Sequence, residues 1–155
     1  MMLAAMKAIY NKQAKFDYEI LDSYEAGVVL FGHEVKSVKA GQISLKGAFV
    51  TLRSSPQPEL FLTNANISKY KQAGPLPGHD PMRPRKLLMH KSQITTLIGK
   101  LQQTGLTLVP LSVYTKNNRV KLQFGLGRGK KKFDKRETIK KRETDREIRR
   151  VIKSR

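Results

Sequence analysis

Cysteine and tryptophan are absent from this 155-residue chain, and acidic side chains are few, with 12 Asp or Glu against 31 Lys or Arg. Without Cys there are no disulfides and no thiolate metal sites, which fits a reducing compartment. The three histidines, His33, His79 and His90, have no paired spacing. His33-Glu34 begins like a zinc-protease helix, but Ser37 stands where the second His belongs. No metal and no cofactor are expected. No apolar run approaches the length of a membrane span. Met1 to Tyr10 is interrupted by Lys7 and lacks the long apolar core of a signal peptide. The default compartment is therefore the cytoplasm, and no membrane partner is expected. Ahead of Arg128 the carboxylates are only Asp17, Glu19, Asp22, Glu25, Glu34, Glu59 and Asp80. Nothing singles out a general acid/base pair among them, so no catalytic residue and no small-molecule substrate is expected.

What the chain has in excess is positive charge: +19 overall, with a pI near 10.4. Arg128 to Arg155 carries 14 Lys or Arg and five Asp or Glu, a net of +9, and the preceding residues still carry +10. A basic body with a more basic tail is the footprint of a nucleic-acid binder. Gly and Pro do not occur after Gly129, so one long helix is allowed. Asp134-Lys135-Arg136-Glu137 has the form of a capping box, which predicts a helix from Lys135. Run to Lys153, it would be roughly 28 Å long. Its apolar residues are few (Phe133, Ile139, Ile148, Val151, Ile152), and pairs such as Glu137/Lys141 add only about 0.2–0.5 kcal/mol each. The tail is therefore expected to be disordered when free and helical against a polyanion. The bland alternative is a solvated charge run.

Three segments follow: a basic leader (1–15), a body (16–127) and the tail (128–155). In the body, Phe16–Leu21 alternates and reads as a strand, Tyr24–Gly27 as a turn, and Val28–Phe31 as a short apolar strand. His33 to Ala40 reads as a short helix closed by Gly41. Ala48–Arg53 and Leu60–Ala65 are strands either side of Ser54–Pro58. Tyr70 to Pro84, rich in Gly and Pro, is a long loop. Ile94, Leu97, Ile98 and Leu101 mark the clearest helix, closed by Gly105. Leu106–Tyr114 and Arg119–Phe124 are strands across a Lys116-Asn117-Asn118 turn, and Gly125, Gly127 and Gly129 read as a hinge. This is a mainly β pattern with two or three helices. It suggests an oligonucleotide-binding-type antiparallel barrel.

Gly125-x-Gly127-x-Gly129-Lys130 invites a phosphate-loop reading. That motif needs Gly where Phe124 stands and Ser or Thr where Lys131 stands, so a hinge is preferred. Glu25 and Glu34 are of interest on a basic face. A carboxylate there accepts from base amino groups or ribose hydroxyls, or holds a Lys or Arg; the alternative is a structural ion pair. Arg83, Arg85, Lys86, Lys91, Lys36, Lys39 and Lys121 each read as solubility alone, and together as one phosphate-tracking groove. Aromatics make up only 7% of residues. That argues against binding by base stacking alone and favours a folded RNA recognised by shape, backbone and ribose.

Six segments occur in an order and spacing that resemble a known family. They are Tyr24-Glu25-Ala26-Gly27, Gly32-His33-Glu34-Val35-Lys36-Ser37, Asn64-Ala65-Asn66-Ile67, His79-Asp80-Pro81, Arg85-Lys86-Leu87-Leu88 and Gly129-Lys130-Lys131-Lys132-Phe133-Asp134-Lys135-Arg136. The chain resembles the SmpB family, the SsrA-binding small protein B, from about Asn11 to the C-terminus. The resemblance implies a barrel that binds transfer-messenger RNA at its tRNA-like domain and delivers it to stalled ribosomes. It implies that Glu25, Leu88, His90 and Lys121 grip that domain, with Glu34 and Lys36 beside them. It also implies that the tail enters the mRNA channel and decoding centre of the small ribosomal subunit. There Arg128, Lys130, Lys131, Phe133, Asp134, Lys135 and Arg136 meet ribosomal RNA, and Val151 and Ile152 support the distal part. The chain departs from the commoner pattern at His33 (usually Thr or Trp), Gly47-Ala48 (usually Asp-Ser) and Phe133 (often His or Tyr). The rival readings are a ribosomal-protein-like barrel threaded permanently into ribosomal RNA and, third, an RNA-processing enzyme.

Overall fold

The computed structural model describes residues 7–54, 56–70, 74, 77–103 and 105–153. The start of the expected leader (1–6) and parts of the 70–84 loop (71–73, 75–76) lie outside the described residues, as do the side chains of Phe133, Asp134 and Ile152.

In chain order the elements are β1 (Ile9–Tyr10), α1 (Ala14–Asp17), β2 (Tyr18–Val28), α2 (Gly32–Lys39), β3 (Ile43–Ser44), β4 (Phe49–Arg53), β5 (Glu59–Thr63), β6 (Asn66–Ile67), β7 (Arg85–Leu88), α3 (Lys91–Leu101), β8 (Leu106–Lys116), β9 (Arg119–Gly129) and α4 (Lys132–Lys153). Seven strands form one antiparallel sheet in the order β1-β8-β9-β2-β7-β5-β4, and β3 pairs with β6. β4 packs back against β8, which curls the sheet into the oligonucleotide-binding-type barrel that the pattern predicts. Inside lie Leu60, Leu62, Leu87, Val113, Leu122 and Phe124, with Val38 of α2 and Leu97 of α3.

The β8–β9 hairpin turns on Asn117 (φ 52°) and Asn118 (φ 63°). Two left-handed residues in a two-residue turn match the right-handed twist of the strands, and Asn tolerates that conformation. α2 and α3 form within a residue or three of their expected bounds, and Gly41 (φ 80°) follows α2 as the C-terminal signal predicts.

Three expectations change. Tyr24–Gly27 is not a turn: it lies within the 11-residue β2, which bends at a bulge between Ile20 and Asp22 and takes in only Val28 of the second expected strand, while Phe31 caps α2. Gly125, Gly127 and Gly129 are not a hinge; they pair within β9. The bare backbone of Gly125 and Gly127 admits Ile20, since a Cβ on Gly125 would meet Ile20 Cγ2 at 2.7 Å and one on Gly127 would meet Cδ1 at 3.2 Å. The second half of the leader is tied down, with Ile9 and Tyr10 paired to Val113 and Ser112 and the Asn11 N–H donating to Leu111 O at 2.8 Å.

The tail is a 22-residue helix that begins at Lys132 rather than Lys135, so Asp134 lies in its first turn and not at its cap. It leaves the body beside α1. The Lys130 N–H donates to Asp17 O at 2.8 Å, and Lys135 Nζ lies 3.2 Å from the Asp17 carboxylate. Lys135 and Arg142 both stand over the Phe16 ring, at 5.7 and 5.9 Å.

Candidate nucleic-acid interface

Register decides which side chains share the outer face of the barrel. Tyr114 of β8 pairs with Lys121 of β9, Lys121 with Gly27 of β2, and Gly27 with Leu88 of β7. The four form a row across four strands. Side chains alternate along a strand, so Glu25 shares the face of Gly27 while Ala26 turns into the core. Gly27 keeps the middle of the row low. A Cβ there would lie 3.5 Å from Leu88 Cβ and 3.8 Å from Lys121 Nζ.

A groove of about 640 Å³ runs over this row, lined by Ser23, Tyr24, Glu25, Gly27, Leu88, Met89, His90, Gln93 and Lys121. His90 sits at the N-cap of α3 with extended backbone, and its carbonyl accepts from the Gln93 and Ile94 N–H groups. Its side chain makes no cap bond, which leaves it to the groove. Leu88 is 55% exposed, an apolar contact beside a cationic one.

The Glu25 carboxylate is oriented from one side. The Tyr114 hydroxyl donates to Oε2, and Lys116 Nζ lies 3.6 Å from Oε1. The Tyr114 bond, helped by Lys116 and Lys121, holds the Glu25 carboxyl below its usual range. Partial burial, and then the Glu25 charge, push the Tyr114 phenol up to about 12. Glu25 is thus a fixed acceptor on a basic face. It suits the amino and hydroxyl donors of RNA better than its phosphates.

The structure therefore brings Glu25, Leu88, His90 and Lys121 into one groove. It places Glu34 elsewhere, in the first turn of α2 and buried at 1% exposure. There Glu34 accepts from the Phe31 N–H at 2.9 Å, from Arg83, and from Arg85 Nη2 at 2.6 Å and Nε at 3.0 Å. This is the ion-pair alternative for Glu34, whose carboxylate is engaged inside the protein by Arg83 and Arg85. Arg85, fully buried, also donates to Ala65 O at 2.7 Å and Pro81 O at 3.0 Å. The pair fastens α2, β7 and the loop between β6 and β7 in one place. Lys36 is exposed on α2 with its ammonium 5.7 Å from the Tyr70 ring, outside the groove lining.

The tail residues gather at the other end of the sheet. Arg128 is exposed at the end of β9, opposite Glu19. Lys131 and Arg136 are exposed, and Lys135 is half-buried against Asp17. Val151 is 54% exposed on α4. The β2–β9 ladder runs from Tyr18/Gly129 to Gly27/Lys121, so roughly 30 Å of strand separates the tail's root from the groove.

Sequence reasoning missed Tyr114, Gly27 and Gln93. Tyr114 and Gly27 have a signal in strand parity, but only once the pairing partners are known. Among the described residues no three His, Asp or Glu side chains gather as metal ligands, and no helix is long and apolar enough to cross a membrane.

Residues 8–154 match the family described as SmpB protein. Curated relatives named SsrA-binding protein include that of Thermosynechococcus vestitus, 50% identical over 145 residues that cover 94% of this chain and 93% of the relative. That of Enterococcus faecalis is 50% identical over 144 residues, covering 93% and 91%. Among solved structures, a chain from "tmRNA-SmpB: a journey to the center of the bacterial ribosome" is 44% identical. It superposes with a TM-score of 0.65 over 81% of this chain and 85% of that one.

Proposed function

The chain belongs to the SmpB family, and from that premise we propose that it is a cytoplasmic, non-enzymatic RNA adaptor. It binds the tRNA-like domain of transfer-messenger RNA and delivers that RNA to ribosomes stalled without a stop codon. The relatives are named for SsrA binding, and the solved neighbour is a ribosome-associated tmRNA–SmpB assembly. The observation that carries the reading is the separation of the Glu25–Lys121 groove from the basic root of the tail, at opposite ends of the β2–β9 ladder. One protein can then hold two RNAs at once.

In the groove, Lys121 neutralises phosphate, Glu25 accepts from ribose or base donors, and Leu88 and His90 pack against the backbone of the folded RNA. At the other end Arg128, Lys130, Lys131, Phe133, Asp134, Lys135 and Arg136 engage ribosomal RNA of the small subunit. Val151 and Ile152 support the distal turns in the mRNA channel. The tail supplies what a codon–anticodon duplex supplies elsewhere: mass and charge in the decoding centre.

Deletion of Lys130 to Arg155 tests the division of labour. The truncated protein is expected to bind transfer-messenger RNA with the affinity of the full chain and to fail in tagging on stalled ribosomes. Tagging by the truncated protein would overturn the assignment of the tail.

A further inference from the structure

Apart from the groove, a second pocket of about 160 Å³ opens between the start of α2 and the 77–83 segment, lined by Phe31, His33, Glu34, His79, Asp80 and Arg83 among others. Phe31, the N-cap of α2, is 57% exposed, so its ring is open to a partner. The Arg83 guanidinium lies 4.1 Å from its ring centroid and is held there by Glu34 and by Pro84 O at 3.2 Å. The His33 ring is 5.8 Å from Phe31 and meets His79 edge-on at 5.4 Å. Asp80 Oδ1 accepts from the Met82 N–H at 3.0 Å, which fixes the carboxylate at the pocket wall. Two polar atoms of this cluster, His79 Nε2 and Arg83 Nε, are buried without a hydrogen-bond partner among the described residues. Buried polar atoms are nearly always paired, with protein or with water, so these two are open to a polar group that enters the pocket.

We propose that this pocket is a nucleobase subsite that takes one unstacked purine of the RNA held by the groove. The inference rests on the adaptor reading and deepens it by naming a base contact. An aromatic face and a guanidinium plane are the surfaces on which unpaired RNA bases stack. A cavity of roughly 150 Å³ holds a benzene-sized ring, so this one takes the six-membered ring of a base and leaves the rest of the nucleotide at its mouth. Arginine and histidine N–H groups suit the acceptor edge of a purine, and Asp80 suits an exocyclic amino group. The same carboxylate, with Phe31, disfavours a bare phosphate.

The test uses the full chain with ¹³C-labelled histidine imidazoles, titrated at millimolar concentration with GMP, AMP, UMP and inorganic phosphate. The purine nucleotides are expected to shift the His33 and His79 resonances and to bind about tenfold more tightly than UMP, the worth of stronger stacking. Phosphate alone is expected to leave both resonances in place. An equal response to phosphate, or no response of His79 to either purine, overturns the proposal. Phe31→Ala, at an exposed position, is expected to fold normally, to lose the purine response and to weaken transfer-messenger RNA binding about tenfold. Wild-type RNA affinity in that variant also overturns it. Glu25→Ala separates the two readings: it should weaken RNA binding while the purine shifts at His79 persist.

Discussion

Arg85 and Glu34 meet inside the protein at 2.6 Å, each withdrawn from solvent, though they stand 51 positions apart in the chain. Burial by itself pushes the Glu34 carboxyl up. The bonds from the Phe31 N–H, Arg83 and Arg85 outweigh it, and the net shift is downward. A carboxylate with a folded pKa below its unfolded value stabilises the fold in full above the ordinary carboxylate range. That stability fades as pH falls through the folded value. Urea unfolding should therefore give constant stability above about pH 5 and a decline below about pH 4. Arg85→Met leaves a buried charge with one partner fewer and is expected to cost about 3–5 kcal/mol. Adding Glu34→Leu should recover part of that loss, because the stranded charge goes. A loss under 1 kcal/mol for the single variant would remove the pair from its structural role.

Tyr114 stands behind Glu25 in the same way, but at the surface. Tyr114→Phe keeps the ring packing and removes the donor. The Glu25 carboxyl should then titrate closer to its ordinary value, as read by carbon NMR. Transfer-messenger RNA binding is expected to weaken about threefold to tenfold, since a freely rotating acceptor must be ordered on binding. Unfolding stability should change by less than about 1 kcal/mol at so exposed a pair. Unchanged RNA affinity would mean that the hydroxyl does not position Glu25.

What could be read from the sequence depended on how local its cause was. The Asn117-Asn118 turn and the α3 periodicity are set by neighbours in the chain, and both appear where expected. β7 escaped notice because Arg85 interrupts its apolar pattern, and the partner that makes Arg85 buriable is Glu34, far away in sequence. Gly27 and Gly125 look like chain breakers, yet both lie inside strands, and at Gly125 the strand is approached closely by Ile20. The groove residues could be named by resemblance to the SmpB family. Why Glu25, Leu88 and Lys121 belong together became visible only in the β9–β2–β7 register.

The Ile20 contact gives a third prediction. A methyl group on Gly125 would meet Ile20 Cγ2 at 2.7 Å and Asp22 O at 3.1 Å, and the second is backbone that cannot rotate away. Gly125→Ala is expected to destabilise the barrel by about 1–3 kcal/mol, as overpacking does. Combining it with Ile20→Ala should relieve only part of the cost, because the carbonyl stays. If the glycines served as a hinge instead, Gly125→Ala would leave unfolding untouched and alter only tail function.

The charge of the whole chain, 31 Lys or Arg against 12 Asp or Glu, makes a prediction about salt. Some 6–10 phosphate contacts would reduce affinity about 10³–10⁵-fold between 50 and 200 mM salt, so transfer-messenger RNA binding should fall steeply over that range. Two neighbours on the Gly27 row should respond differently. Lys121→Ala removes one neutralised phosphate and is expected to lower the salt slope by about one, with weaker binding at every salt concentration. Leu88→Ala removes apolar contact and no charge, so affinity should fall while the slope stays as it was. Titrations of both variants at four salt concentrations decide the matter. Equal slopes in wild type and Lys121→Ala would place that ammonium off the phosphate track, and a changed slope for Leu88→Ala would mean that its loss shifts the RNA along the groove rather than merely loosening it.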